Sequence, residues 1–348
     1  MVDIYGYVLR DISELHISRS CSGMGTGGMV TTELRFSAYG AKHGGNAMKA
    51  PKVMVSVTNA KGGSLTLPDF WLDTHTVHNN RIDFVCYDRM AFADCIKFTE
   101  DDLKSFAVNK VSAYDVVNMI GQKMGVPASG FADATKKIDI ESLPGTTCSQ
   151  WLQSISAVNC GFFYISNENE LKFCTFHHPV YEVMLDTELD AYTEPDIGEK
   201  VEVDGFIIYG DGGKVYDHSN MGSRYVLEIN GGSLVNSKTP DKLEKIIENA
   251  TYTYGSIDKA IITSIPHVNA VWGSGQLLIN NISATISSCG IIASLSANQA
   301  GVGEIGAYMG QLSRQLESAI KSGERINKNC MITKYQGTIW LDDDEDEE

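Results

Sequence analysis

The sequence predicts an α+β chain dominated by antiparallel strands. Three observations carry that prediction. Apolar and polar residues alternate with period 2 through the first hundred residues, the period changes to a helical one near residue 110, and alternation returns from about 200. At 348 residues and 43% hydrophobic content, the chain is long enough for more than one domain with its own core.

The N-terminal strands come first. Leu15 and Ile17 alternate with Glu14, His16 and Ser18, and Leu34, Phe36 and Ala38 alternate with Glu33, Arg35 and Ser37. Val53, Val55 and Val57 follow, then Leu65 and Leu67, then Ile82, Phe84 and Cys86. Such runs, bounded by Gly- and Asn-rich turns, mark half-buried antiparallel strands in a small barrel or sandwich. Gly40 to Lys49, with Gly44-Gly45-Asn46, reads as a long loop.

Two helices and a hairpin come next. Ser112-x-x-Asp115 has the form of a capping box, with Val116, Val117, Ile120 and Met124 on one face and Gly125 placed to end the helix. Thr147-x-x-Gln150 opens a second helix, with Leu152, Ile155 and Ala157 or Val158 inward and Gly161 as its stop. Phe162–Ser166 and Glu170–Phe176 flank Asn167-Glu168-Asn169 as a β-hairpin.

Beyond 200, strands are expected at Val201–Tyr209, Arg224–Ile229, Ala260–Ser264, Gln276–Ile279 and Ile282–Ser287. One helix lies among them, with Thr239 as N-cap, Pro240 at its first position, and Leu243, Ile246, Ile247 and Ala250 inward. Ile305, Met309, Leu312, Leu316 and Ile320 recur at helical spacing, predicting an amphipathic helix over 304–321. Met331–Leu341 reads as a last strand before the acidic run Asp342–Glu348.

Charge and cysteine usage exclude several classes. The formal charge is −16, and seven acidic residues in 342–348 leave about −9 for the rest, which argues against nucleic-acid binding through a basic face. The acidic run reads as a solvated end or as a contact for a basic partner. Eight cysteines occur with no CxxC or CxxH, so reduced thiols are expected, without a zinc ribbon or a redox pair. The N-terminus has neither a basic n-region nor an apolar h-region, so no export leader is expected. No run reaches the roughly 18 apolar residues of a membrane span.

The motifs that suggest chemistry are each better read otherwise. Gly23-Met24-Gly25-Thr26-Gly27-Gly28 matches GxGxxG, but a dinucleotide site needs a helix to open there, and Met29–Tyr39 alternates as a strand. His75 and His78 lie three apart in a strand-like stretch, where they point to opposite faces. His177-His178 before Pro179 reads as loop. Gly273-Ser274-Gly275 has the wrong frame for a nucleophile elbow. Asp88 with Asp94, or Asp73 with Asp83, could be offered as glycosidase carboxylates, but nothing in the sequence ties either pair to one cleft. Asn249-Ala250-Thr251 and Asn281-Ile282-Ser283 match the glycosylation pattern without an export signal to make it meaningful. No catalytic, cofactor or metal residue is therefore assigned, and no enzyme activity is expected.

Several segments, in order, resemble the baseplate hub proteins of phage tails and contractile injection particles, a family related to the N-terminal part of tail-associated lysins. Thr31-Thr32-Glu33-Leu34-Arg35-Phe36-Ser37-Ala38-Tyr39 is similar to that family's early strand. Arg81-Ile82-Asp83-Phe84-Val85-Cys86-Tyr87-Asp88-Arg89-Met90 is similar to its core strand ending at a Tyr-Asp-Arg-Met-like turn. The helix at 147–160 with Gly161–Ile165 and Glu170–Phe173 resembles its second module. Tyr225–Asn230, a helix, and Gly255–Asp258 resemble the entry to its second barrel.

The resemblance implies two tube-like β-barrel domains with an inserted small α/β module. It divides the chain into a barrel at 1–100, a helix–helix–hairpin module at 101–198, a second barrel with helices at 199–330, and a strand and acidic tail at 331–348. It further implies a homotrimer that adapts a sixfold tail tube to a threefold spike and lines the delivery conduit. The partners would be the tube or a distal tube-initiator protein, the central spike and other baseplate proteins. The site of action would be a virion or a phage-tail-like bacteriocin made in bacterial cytoplasm. A tail-tip protein that binds receptor or degrades cell wall is the alternative, although the chain ends where longer relatives continue into lytic domains.

Overall fold

The computed structural model describes residues 2–297, apart from 5–6, 10, 22–26, 40–41, 44–51, 59–63, 105, 107, 176–180, 183–195, 204, 220–225, 248–250, 269 and 273–276. The expected helix at 304–321, the strand at 331–341, the acidic run and most of the loop at 40–49 lie outside the described residues.

In chain order the N-terminal strands are β1 (Val2–Ile4), β2 (Leu15–Ser20), β3 (Gly28–Val30), β4 (Thr32–Tyr39), β5 (Lys52–Val55), β6 (Phe70–His78) and β7 (Arg81–Asp88). The middle contributes helices α1 (Ala113–Met124) and α2 (Cys148–Ala157), then strands β8 (Gly161–Ile165) and β9 (Leu171–Thr175). The C-terminal half adds β10 (Asp196–Glu202), β11 (Gly205–Gly210), β12 (Gly213–His218), β13 (Val226–Asn230), α3 (Thr239–Ile247), β14 (Thr251–Ile262), β15 (Asn281–Ser287) and β16 (Gly290–Ala297). The mainly antiparallel α+β class is what the alternation predicts.

Strands from both ends of the chain share one ten-stranded sheet, in the order β1-β5-β6-β7-β4-β2-β15-β16-β14-β10. Each ladder in it is antiparallel. The alternating apolar residues point to one side: Ile17, Leu34, Phe84, Ala284 and Leu295 are all buried in a single core. Phe36 and Phe84, directly paired across β4 and β7, stack at 4.9 Å. Burying a side chain of this size contributes about 1.5–3 kcal/mol, and a one-residue slip would turn the whole set outward.

Two separate barrels are not established by this topology. Strand β2 pairs with β4 on one side and with β15 on the other. The edge that a closed N-terminal barrel would need is thus occupied by the C-terminal half. No closed barrel forms among the described residues. The N-terminal strands nevertheless curl back on themselves, since Val2 of β1 and Ile286 of β15 line one open hollow of about 390 Å³ with Leu15 and Val57.

The module sits over one end of this sheet. The Ser112 hydroxyl accepts from the Asp115 amide, the Asp115 carboxylate accepts from the Ser112 amide, and Gly125 closes α1 at φ 72°. Thr147 and Gln150 cap α2 in the same reciprocal way. Val116, Ile120, Leu152, Ile155, Phe163 and Ile165 form a second core, which Trp71, Met90 and Phe92 join from the end of the sheet. The predicted hairpin is β8–β9, its turn completed by Asn169 at φ 62°.

The run expected as one strand at Val201–Tyr209 is two. β10 pairs β14 in the large sheet, whereas β11 pairs β12 and β13 in a small one. Helix α3 covers that small sheet with Leu243 and Ile247, against Phe206, Ile208, Leu227 and Ile229. Thr239 is the first residue of the helix rather than its cap, and its hydroxyl bonds Asn236.

Candidate functional site

A buried polar junction joins the two halves of the chain and the module. Arg19 points inward from β2 and is 1% exposed. Its Nη1 donates to the Pro266 carbonyl at 2.8 Å and to His267 Nδ1 at 3.1 Å, and its Nη2 donates to Asn167 Oδ1 at 2.8 Å. Its Nε donates to Thr32 Oγ1 at 3.2 Å, and the Thr32 hydroxyl in turn bonds Asp88. Asp88 is fully buried and also accepts from the amides of Thr32 at 2.9 Å and Met90 at 3.1 Å. Guanidinium and carboxylate are thus coupled through one threonine.

Burying two charges costs several kcal/mol unless each finds partners, and this junction supplies them. The titration of all three groups reflects it. Burial lowers Arg19 to about 10, against the Asp88 charge, and burial raises Asp88 to about 6, against the Thr32 bonds. Burial, then the Arg19 and Lys172 charges, depress His267 to about 2. Arginine offers only donors, so His267 Nδ1 must be the acceptor and the neutral ring carries its proton on Nε2. Its ring also packs 4.7 Å from that of Tyr164.

Arg89 shows a different solution. Nε and Nη1 have no acceptor and expose almost nothing, and neither does Trp71 Nε1. The guanidinium lies 4.0 Å over the Trp71 ring and 4.8 Å over Phe92. It also adjoins Gly125, at the negative end of α1. Two aromatic faces and a helix terminus take the role of the missing acceptors. The cation is thus satisfied by the core that surrounds it, and the cluster is packing rather than a ligand site.

The opposite face of the large sheet is open. One cross-strand row runs Tyr87–Glu33–Ser18–Ser283–Ser294, and the next Val85–Arg35–His16–Thr285–Ile292. Glu33 accepts from Arg35 at 2.6 and 3.0 Å and from the Tyr87 hydroxyl at 2.7 Å. Burial opposes ionisation of Glu33, but these bonds hold its pKa below the ordinary value. Asp83 accepts from Ser37 at 2.5 Å and from Arg81 at 2.9 Å, and the Ser37 bond is the main reason its pKa is lowered.

With that geometry in hand, the chain can be set beside known structures. It is similar to the 43 kDa tail protein of prophage MuSo2 from Shewanella oneidensis, at 12% identity and TM-score 0.47, over 86% of this chain and 97% of that one. It is similar to a tail protein from Neisseria meningitidis MC58, at 13% identity and TM-score 0.47, over 87% and 99%. It is also similar to the E. coli c3393 protein, a type VI secretion component described as structurally similar to the T4 tail proteins gp27 and gp5, at 10% identity and TM-score 0.44, over 86% and 78%. These neighbours are tail and tail-like proteins. No protein-family model matches the chain, and no curated protein sequence matches it.

The residues singled out in the sequence are scattered. Of the glycine-rich run, 23–26 lie outside the described residues, and Gly28 opens a strand, not a helix. Gly27 has φ +91°, and a Cβ there would come within 2.8 Å of Ala157 Cβ and closer to its backbone. The glycine serves the close passage of β3 over the end of α2, where the Gly28 amide donates to Ser156 Oγ. His78 bonds Asp83 at 3.2 Å, while His75 faces Phe84 across the ladder. Among the described residues, no group of three or more His, Cys, Asp or Glu is placed to hold a metal ion.

The offered carboxylate pairs do not share a cleft. Asp88 is buried in the junction, Asp94 is partly exposed, Asp73 is buried at the bulge in β6, and Asp83 lies on the open face. Asn281 and Ser283 stand in β15. His177-His178, Gly273–Gly275 and Asn249-Ala250 lie outside the described residues. Seven described cysteines are free, and all but Cys289 are buried. Among the described residues no helix is long and apolar enough to cross a membrane. Sequence reading misses the Arg19 junction altogether. Its only signal is a charge at an inward position of an alternating strand.

Proposed function

We propose that the chain is a structural, non-enzymatic subunit of a phage-tail-like particle, the baseplate hub that joins tail tube to spike. The observation that carries this reading is the large sheet. Each chain brings two strand-built halves, fused edge to edge through β2 and β15, into one curved wall. Among the described residues, β1 and β10 end that wall with unpaired outer edges, which are adhesive unless another strand covers them. Neighbouring copies would cover them in a closed ring. Two halves per chain and three chains per ring give the six sectors a sixfold tube requires. The sequence resemblance to hub proteins points the same way.

In this reading 1–100 and 199–330 are the two tube-like sectors, 101–198 is the outer module, and 331–348 is an appendage. The open, hydroxyl-bearing face of the sheet lines the conduit. Light scattering on the purified chain, followed by negative-stain class averages, tests the proposal. The expected result is a trimeric ring with a central channel that captures tube and spike proteins. A stable monomer that binds neither would end it.

A further inference from the structure

The cover over the main core thins at the hollow between β1 and β15. Ile17, Phe84, Ala284 and Leu295 are each 1% exposed, whereas Val2, Leu15 and Ile286 are 6% exposed and Ile291 is 8% exposed. Val2, Leu15 and Ile286 line the hollow of about 390 Å³, and Ile291 pairs with Ile286 across β15 and β16. Ile12 and Val57, only partly buried, complete its apolar lining, and the polar part is Glu14 with serine and threonine hydroxyls. One stretch of the sequence has the complementary need. Over 304–321 the stripe Ile305, Met309, Leu312, Leu316 and Ile320 recurs at helical spacing, and Arg314, Glu317 and Lys321 fall opposite it in a helical projection. A helix of that length is marginal alone in water and draws its stability from an apolar surface to lie on.

The connecting path is short enough. Strand β16 starts at Gly290, beside the Ser287–Ser288 edge of the hollow, and ends at Ala297, about 23 Å away at about 3.3 Å per residue. Residues 298–303 span at most about 20 Å, and a helix from 304 adds about 1.5 Å per residue. A chain that turns back along β16 therefore brings Leu312, Leu316 and Ile320 within reach of the hollow. We infer that 304–321 docks on its own chain, laying these three side chains over the hollow and closing that end of the core. The inference is independent of the hub reading and stands if that reading fails.

The test uses the full chain in a Cys289→Ser/Cys330→Ser background, in which the described cysteines that remain are all buried. Val57→Cys puts a thiol into the lining of the hollow. A charged maleimide should label that thiol at least about 10-fold more slowly than in the same chain carrying Leu312→Ser/Leu316→Ser. Arg314→Ser/Glu317→Ser, on the other side of the segment, should leave the rate unchanged. Native buried cysteines that stay unreactive report that each variant is folded. Equal rates with and without the two leucines overturn the inference, whether the hollow is then open or covered by the adjoining 59–63. A reciprocal arm decides the matter even if the double-serine chain fails to fold. Leu316→Cys should label slowly, and at least about 10-fold faster once Val57→Trp fills the hollow. No change there also overturns the inference. Finally, Val57→Cys chains with both serines are refolded with an excess of chains that keep Val57 and the leucines. The thiol should stay reactive; restored protection would mean that a neighbouring copy supplies the segment, and would overturn docking within one chain.

Discussion

Replacing His267 with glutamine should reverse the sign of the chain's response to mild acid. The imidazole accepts from Arg19 through Nδ1 and lies against a guanidinium that, lowered by burial to about 10, stays protonated throughout the mildly acidic range. Its folded pKa of about 2 sits far below the 6.5 of a free imidazole. A depressed base contributes stability above its unfolded pKa and loses it as pH falls. Between pH 7.5 and 5 the fall covers about 1.5 pH units, or about 2 kcal/mol. Asp88 acts the other way. Its folded pKa of about 6 is raised from 3.8, so its contribution is complete below 3.8 and lost as pH rises through 6. The same step down to pH 5 returns about 1.4 kcal/mol. The parent should therefore lose less than about 1 kcal/mol over this step, while His267→Gln gains about 1.4 kcal/mol, its side-chain oxygen still accepting from Arg19. Urea unfolding at the two pH values and constant ionic strength, read by tryptophan fluorescence from the buried Trp71 and Trp151, gives the comparison. Parallel pH profiles for parent and variant would refute the assignment of His267 as a buried neutral acceptor.

Other consequences can be checked with the same preparation. Arg19→Met strands a buried carboxylate and should cost about 3–5 kcal/mol in urea unfolding, and adding Asp88→Asn should recover part of that loss. Ser112→Ala and Thr147→Ala each remove a reciprocal helix cap, and each should lower stability by about 1 kcal/mol in thermal melts. Gly27→Ala combines a positive φ with a clash against Ala157 and should cost about 1–3 kcal/mol, whereas Gly28→Ala, with open space around it, should change stability by less than about 1 kcal/mol. Among the described cysteines only Cys289 is exposed, so in a Cys330→Ser background one thiol should react rapidly with an aromatic disulfide reagent under native conditions and the remainder only on unfolding.

The local structure is largely legible in the sequence because local rules govern it. Alternation places β2, β4, β7 and β15, capping boxes place the starts of α1 and α2 to the residue, and Asn167–Asn169 marks the hairpin turn, although α2 ends at Ala157 and the expected stop Gly161 instead opens β8. Strand β16 escapes because two of its inward residues, Ala293 and Ala297, are small and the outward-facing Ile292 breaks the apolar–polar alternation. The split between β10 and β11 escapes because only long-range pairing assigns the two strands to different sheets. Two-barrel topology cannot be read either way, since nothing local states that β2 will take β15 as its second neighbour. The Arg19 junction is hidden for the same reason: its partners Thr32, Asn167, Pro266 and His267 converge only after the module and both halves have packed.

The pairing of β2 with β15 also sets a timetable. His16 waits for Thr285, 269 residues downstream, before the centre of the sheet can close. At about 5–20 residues per second, a ribosome takes roughly 15–50 s to cover that distance. Throughout that interval the nascent chain displays a finished strand with one bare flank, the kind of template that attracts stray β-segments. A chain synthesised beside its own siblings would then depend on chaperones, or on slow early folding, to keep that flank vacant until its proper partner emerges.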